Sequence, residues 1–202
     1  MLCSKNIKFG VIVVWMCTML SGCDVVKLDQ DGKPILPMSA EDAASIKNMT
    51  PKDIAEKLWG QIVPEAKQKS ITWEKIKSEV TTAKSGKNKS YFVSFEGVVD
   101  ALDTSTKERS IKINVAGDNV SLQLGPIVKG NAIRDAASFI QFDQFKNQVQ
   151  FAKLSKELNK KALLGISMPD AAWQGKSVDV LAAATISDNG VVDIVPIEII
   201  KR

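Results

Sequence analysis

The polar residues best placed to act together are Arg134-Asp135, with Asn147-Gln148 a short way downstream. Arginine carries five donors in a planar fork. It can take a carboxylate, a phosphate or a vicinal diol bidentately, with a neighbouring carboxylate to orient it. The same pair could instead be an internal ion pair. An arginine beside Ala132 and Ile133 can be half-buried and would then need a partner. Lys129 adds a cation just upstream, and each primary amide offers two donors and two acceptor lone pairs. Arg134, Asp135, Asn147, Gln148 and Lys129 are therefore the candidate ligand- or partner-binding residues.

Other chemistries find little support. The chain has no histidine, so histidine acid–base catalysis is excluded and a metal site would need carboxylates alone. Glycoside hydrolysis needs two carboxylates at a defined separation, and nothing in the sequence brings Asp170 and Glu198 together. The run Gly125-Pro126-Ile127-Val128-Lys129-Gly130 lacks the Gly-Lys-Ser/Thr ending of a phosphate loop. Its glycines suit positive φ or close backbone approach as the chain leaves a strand. No catalytic residue, metal or cofactor is assigned.

The first 22 residues read as a leader. Lys5 and Lys8 precede an apolar run from Gly10 to Leu20, too short to span a membrane comfortably. Leu20-Ser21-Gly22-Cys23 then resembles a bacterial lipobox. That resemblance implies diacylglycerol on the Cys23 sulfur, cleavage after Gly22 and acylation (palmitate or a similar chain) of the new amino terminus. Multiple chains satisfy the requirement for stable anchoring. Cys3 and Cys17 would leave with the leader, so the mature chain could form no internal disulfide. Asp24 follows the anchor, the position associated with retention in the inner membrane. The formal net charge of +4 falls to about +2 without Lys5 and Lys8. That is no electrostatic footprint for nucleic acid.

The elements that must position the candidates follow from periodicity. Residues 23–40 contain Gly32, Pro34 and Pro37 without a period and read as a lipidated tether. Thr50-Pro51 with Asp53 starts a helix whose stripe is Ile54, Leu58 and Ile62; Pro64 is expected to kink or end it. A second helix, over 72–84, carries Trp73, Ile76 and Val80, and Trp59 and Trp73 are expected to share a core. Residues 41–89 thus read as a helical subdomain. From Tyr91 the period is two. Tyr91 to Val99, Ser110 to Val115 and Val120 to Leu124 read as strands, with a turn at Gly117-Asp118-Asn119. Two further strands hold Val178 to Ala184 and, on the inner face of the second, Val195, Ile197 and Ile199; the hairpin turn Asp188-Asn189-Gly190 joins them. Trp173, in a short helical turn before them, is expected to pack in the core.

Between the third and fourth strands runs a helix from about Phe145 to Lys161. Lysines line one face, and Asn147, Gln148, Ser155 and Asn159 fall among Leu154, Leu158 and Phe151. Its lysines are a wet surface that could also meet anionic headgroups. Buried amides must be paired, so these either pin the crossover or line a pocket. The expected fold class is α+β: a small helical subdomain followed by an OB-like five-stranded β-barrel over 90–202, with a long helix between strands 3 and 4 filling one end.

Gly125-Pro126-Ile127-Val128-Lys129-Gly130, Ala132-Ile133-Arg134-Asp135, Phe142-Asp143-Gln144-Phe145-Lys146-Asn147-Gln148, Phe151-Ala152 and Leu158-Asn159 occur in an order that resembles a family of predicted periplasmic lipoproteins, domain of unknown function 2291. The likeness runs from the lipobox through Gly97 to Gly175-Lys176. Lys129 stands where arginine is expected, which keeps the charge and loses the fork. The resemblance implies the same two-part architecture. It also implies an accessory role beside a carbohydrate ABC transporter, with the permease or its periplasmic sugar-binding protein as partner. The function expected is a lipid-anchored periplasmic binding protein and not an enzyme. The alternatives are a structural envelope protein without a small ligand and a glycan-acting hydrolase. Nucleic acid is disfavoured further, because the loop Asp100 to Lys107 has no aromatic for base stacking.

Overall fold

A computed structural model describes residues 40–83 and 86–202. The leader, Cys23, Asp24 and nearly all of the expected tether lie outside the described residues. Helix α1 (Ala40–Lys47) precedes α2 (Pro51–Lys69), strand β1 (Ile71–Thr72) and α3 (Trp73–Thr82). Strands β2 (Lys89–Asp103), β3 (Ser110–Val115) and β4 (Asp118–Gln123) follow. The crossover contains α4 (Ala132–Ala136) and a 3-10 turn (Phe142–Gln144) and leads into α5 (Gln148–Leu164). A second 3-10 turn (Ala171–Trp173) precedes β5 (Ser177–Ser187) and β6 (Gly190–Lys201).

The antiparallel order is β4-β3-β2-β5-β6, and β1 adds a short parallel pairing to β2. The sheet curls, so its edge strands β4 and β6 approach without forming a ladder. Three bulges accommodate the curl, since an extra residue bends and twists its strand. Asp100 is the extra residue opposite β3, and Val192 and Ile197 are the extra residues opposite β5. The bulge at Ile197 changes the expected phase of β6. Ile199 and Ile194 face the barrel interior, whereas Val195 and Ile197 face the helices. Pro196 sits at this bulge on an edge strand, where a missing N–H is tolerated. β2 continues to Asp103, so the following loop begins at 104. The β3–β4 turn is centred on Ala116 and Gly117, both at positive φ, one residue earlier than expected. In the β5–β6 turn only Gly190 takes positive φ.

There are two apolar layers. The interior one joins Phe95, Ile113, Leu122 and Val180 to Trp73 and Ile76 of α3, and to Ile166 and Trp173. Trp173 is thus in the core, as expected. The outer layer joins Phe92, Leu181, Ala183, Val195 and Ile197 to α1, α2, α4 and α5. Each fully buried Leu or Ile in these layers stabilises by roughly 1.5–3 kcal/mol.

This division corrects several expectations. Helix α5 does not fill the end of the barrel. Its Leu154, Leu158 and Ala162 lie in the outer layer, while α3, Ile166 and Trp173 occupy the interior. The 41–89 segment has no separate core, because α1 and α2 share the outer layer and α3 the inner one. Trp59 and Trp73 are therefore apart; Trp73 makes an edge contact with Phe95, at 5.6 Å between centroids. Pro64 does not end α2. It lies on the exposed side, where water can satisfy the carbonyl that the missing N–H leaves unpaired. Helix α5 starts at Gln148 because Asn147 accepts a hydrogen bond from the Gln150 N–H at 2.9 Å and caps it.

Gly125 marks the chain's departure from β4. A Cβ there would lie 2.2 Å from the Lys107 carbonyl oxygen. Gly60, inside α2, has open space where a Cβ would stand, with nothing within 4 Å. The two positions should respond oppositely to the same change. Gly125→Ala is expected to lose about 1–3 kcal/mol through overpacking. Gly60→Ala is expected to gain roughly 0.5–1 kcal/mol from reduced backbone entropy. Urea unfolding of the two variants measures both signs.

Candidate functional site

The crossover from 124 to 147 has little regular structure, so side chains must satisfy its backbone. Gln123 does this at the start: its amide donates to the Lys129 carbonyl at 3.0 Å and accepts from the Lys129 N–H at 2.8 Å. Gln144 accepts from the Gln141 N–H at 2.9 Å and donates to the Phe139 carbonyl at 3.1 Å. Asn159 of α5 donates to the Gly130 carbonyl at 3.3 Å. Gln150 donates to the Ile46 and Met49 carbonyls at 3.1 and 2.9 Å, fastening α1 to α5. Ser138 donates its hydroxyl and its N–H to Glu65 and receives a 2.9 Å bond from Lys69. Lys69 also pairs with Glu65 at 3.0 Å. An ammonium held by a carboxylate is no base for the hydroxyl, so this trio anchors the crossover to α2.

The sequence candidates separate. Arg134 and Asp135 do meet, with Nε to Oδ1 at 2.7 Å. The Arg134 side chain is only 11 % exposed, donates also to the Phe151 carbonyl at 3.3 Å, and lies 3.9 Å over the Phe151 ring. Phe151 in turn contacts Phe142 and Phe145. This guanidinium therefore ties α4 to α5. Lys129 is exposed and pairs with Glu108 at 2.7 Å. Asn147 is the α5 cap, and Gln148 is an exposed first-turn residue. Asp170 caps the second 3-10 turn and Glu198 pairs with Lys67, so those two carboxylates do separate work.

Of the five, Asp135 lines a substantial depression. A cleft of about 470 Å³ is lined by Asp135, Asn131 and Gly130 from the crossover, Asn88, Lys89 and Ser90 from the start of β2, and Thr185, Val192 and Asp193 from the β5–β6 hairpin. Gly130 takes positive φ, and a Cβ there would collide with the Asp193 carboxylate at 1.9 Å. Burial pushes the Asp193 carboxyl above its usual value; the Thr185 hydroxyl opposes this and the Asp135 charge adds to it. Asp193 Oδ1 is buried without a hydrogen-bond partner. The cleft is thus rich in donors and acceptors, with Val192 as its one large apolar lining residue. The β2 and β5–β6 contributors were not foreseen, because register alone sets Thr185 opposite Asp193 and Ser90 opposite Thr185.

A curled antiparallel sheet in this order, with helices against its outer face, defines an α+β domain of the OB type. The solved structure of an OB-fold protein from Thermotoga maritima is similar to it, with a TM-score of 0.57 and 16 % identity over 77 % of this chain and 100 % of that one. The chain belongs to the family described as predicted periplasmic lipoprotein (DUF2291), whose family model matches residues 12–200. No curated protein matches it.

The contrast between Arg134 and Asp135 can be measured. Arg134→Lys keeps the charge but loses the planar stack and the fork, and should cost about 1–2 kcal/mol in chemical denaturation. Asp135→Asn keeps an acceptor for Arg134 Nε but removes the charge that pairs the nearly buried guanidinium, and should cost less, about 0.5–1 kcal/mol. For Asp193 the folded-state value lies above the unfolded one. Its contribution is therefore fully present below the ordinary value of 3.8 and is lost as pH rises through the raised value. Relative to wild type, Asp193→Asn should gain stability as pH rises from the ordinary carboxylate value through the raised one. A stability difference flat across that range would contradict the assignment.

Proposed function

We propose that the protein is a lipid-anchored periplasmic binding module, not an enzyme, and that its cleft takes a small polyhydroxylated ligand. The observation that carries this is the cleft itself, where carboxylate, amide, hydroxyl and ammonium groups converge from three separate segments. Vicinal hydroxyls both donate and accept, and such a mixed lining matches them. The anchor is Cys23, and Asp24 favours the inner membrane's outer leaflet. The family resemblance supports an accessory role beside a carbohydrate ABC transporter, docking on the permease or its soluble sugar-binding protein.

Two carboxylates in one cleft also meet the first requirement of a glycan hydrolase. Asp193 is poorly presented for that work. One oxygen is buried and the other lies against Gly130, so neither is offered to a leaving group. The structural envelope reading draws on Arg134, whose donors are engaged within the protein.

The test combines thermal shift across a sugar and polyol panel with a pull-down of transporter components by the anchored chain. A ligand that raises Tm for wild type and not for Asp135→Asn or Asn131→Ala supports the binding reading. No shift across the panel and no enrichment would sink it. Release of product from aryl glycosides by wild type would move the assignment to a hydrolase.

A further inference from the structure

The far end of α5 carries a different surface. Two adjoining depressions of about 490 and 200 Å³ share Pro126, Lys160 and Leu163. Around them Leu164 is 82 % exposed, Met168 47 % and Ile127 46 %. Large apolar side chains grouped in this way mark an interaction site and not ordinary surface scatter. The rim is cationic. Arg109 and Lys156 are exposed and have no acidic partner among the described residues. Lys160 also lines both depressions and is bonded to Glu157 at 2.7 Å. No carboxylate lines either depression.

Apolar side chains ringed by arginine and lysine match a bilayer interface bearing anionic headgroups: the apolar tips enter the acyl boundary and the cations remain at the phosphates. We infer that the face formed by Ile127, Leu164 and Met168 docks on the anionic membrane surface to which the chain is anchored. The inference rests on the lipid-anchor reading for its geometry. Gln150 bonds the C-terminal end of α1 to the first turn of α5, and Ala40, where the tether joins, lies about 10 Å back along α1. The docking face lies at the other end of α5, about 25 Å from its first turn. Roughly 16 residues separate Cys23 from Ala40 and reach up to about 55 Å when extended. The anchor therefore allows this face to touch the same bilayer.

The lipidated full chain is reconstituted in vesicles of phosphatidylcholine with or without phosphatidylglycerol. Beyond residue 23 the chain has no cysteine, so Leu164→Cys accepts a single spin label, and Asp188→Cys on the β5–β6 hairpin is the control. Thermal melting matched to wild type confirms that each labelled chain is folded. With phosphatidylglycerol, the label at 164 should become accessible to oxygen and shielded from a water-soluble nickel chelate, while the label at 188 stays aqueous. Lys156→Gln and Arg109→Gln should each lower the docked-to-undocked ratio about fivefold. Flotation with an aqueous label at 164 overturns the docking and leaves the anchor standing. Insertion at 164 in a chain whose mass shows no lipid overturns the anchor alone. Absence of flotation overturns both. Equal insertion without phosphatidylglycerol overturns the role of the cations. A label shielded equally without vesicles, with doubled particle mass, assigns the face to a second copy of the chain and overturns the inference.

Discussion

Buried backbone must be hydrogen-bonded, and in this fold that requirement falls hardest on the crossover between β4 and α5. Only short helical pieces occur there, so ladders cannot satisfy it. Amides from the flanking elements do so instead: Gln123 before it, Gln144 within it, and Asn159 after it. Ser138 adds a tie to Glu65 and Lys69 of α2. A neutral amide both donates and accepts without the desolvation cost of a charge, which suits a half-buried loop. These ties hold the crossover as a strap, with Asn131 and Asp135 at the cleft on one side and Pro126 and Ile127 at the apolar face on the other.

The sheet explains why the strap lies where it does. β2, β5 and β6 are covered on both faces, by the barrel interior and by the helices. Ala182, Ala183 and Ala184 are all fully buried in β5. Small side chains at successive positions let α4 approach one face while the other curls tightly. β3 and β4 contribute to the inner layer alone and keep the alternation of a one-sided sheet, as in Ile111, Ile113 and Val115 against Ser110, Lys112 and Asn114. α3 closes the interior, with Trp73 Nε1 and Lys77 both donating to Asp118 on β4. The Lys77 bond holds the Asp118 carboxyl below its ordinary range.

Strand order was legible because periodicity and turn residues act locally: Ile111, Ile113 and Val115 alternate whatever lies above them. The side on which a helix packs was not. The apolar stripe of α5 is the same whether it meets a barrel's end or its outer wall. The choice was made by Trp73, Ile76 and Ile166, which fill the interior from other segments. The bulge at Ile197 was invisible for a related reason, since an extra residue leaves the sequence alternating while the strand changes face. At the cleft, Asp135 carried a signal through its neighbour Arg134. Asp193 and Ser90 carried none, because only cross-strand register unites them with it.

Two side chains that each leave an oxygen unpartnered flank Gly130. Asn159 spends its donor on the Gly130 carbonyl and leaves Oδ1 buried and unpartnered; Asp193 lies against Gly130 and leaves its own Oδ1 the same way. A buried polar atom without a partner costs about 1–3 kcal/mol unless water reaches it. An apolar residue at either position would avoid that cost, yet neither could hold Gly130 from its own side. Backbone satisfaction accounts for Asn159, whose donor meets the Gly130 carbonyl, and does not account for Asp193. Asp193 instead packs against the α-carbon of Gly130, which lies beside Asn131 in the cleft wall, so the two side chains hold that glycine from opposite sides.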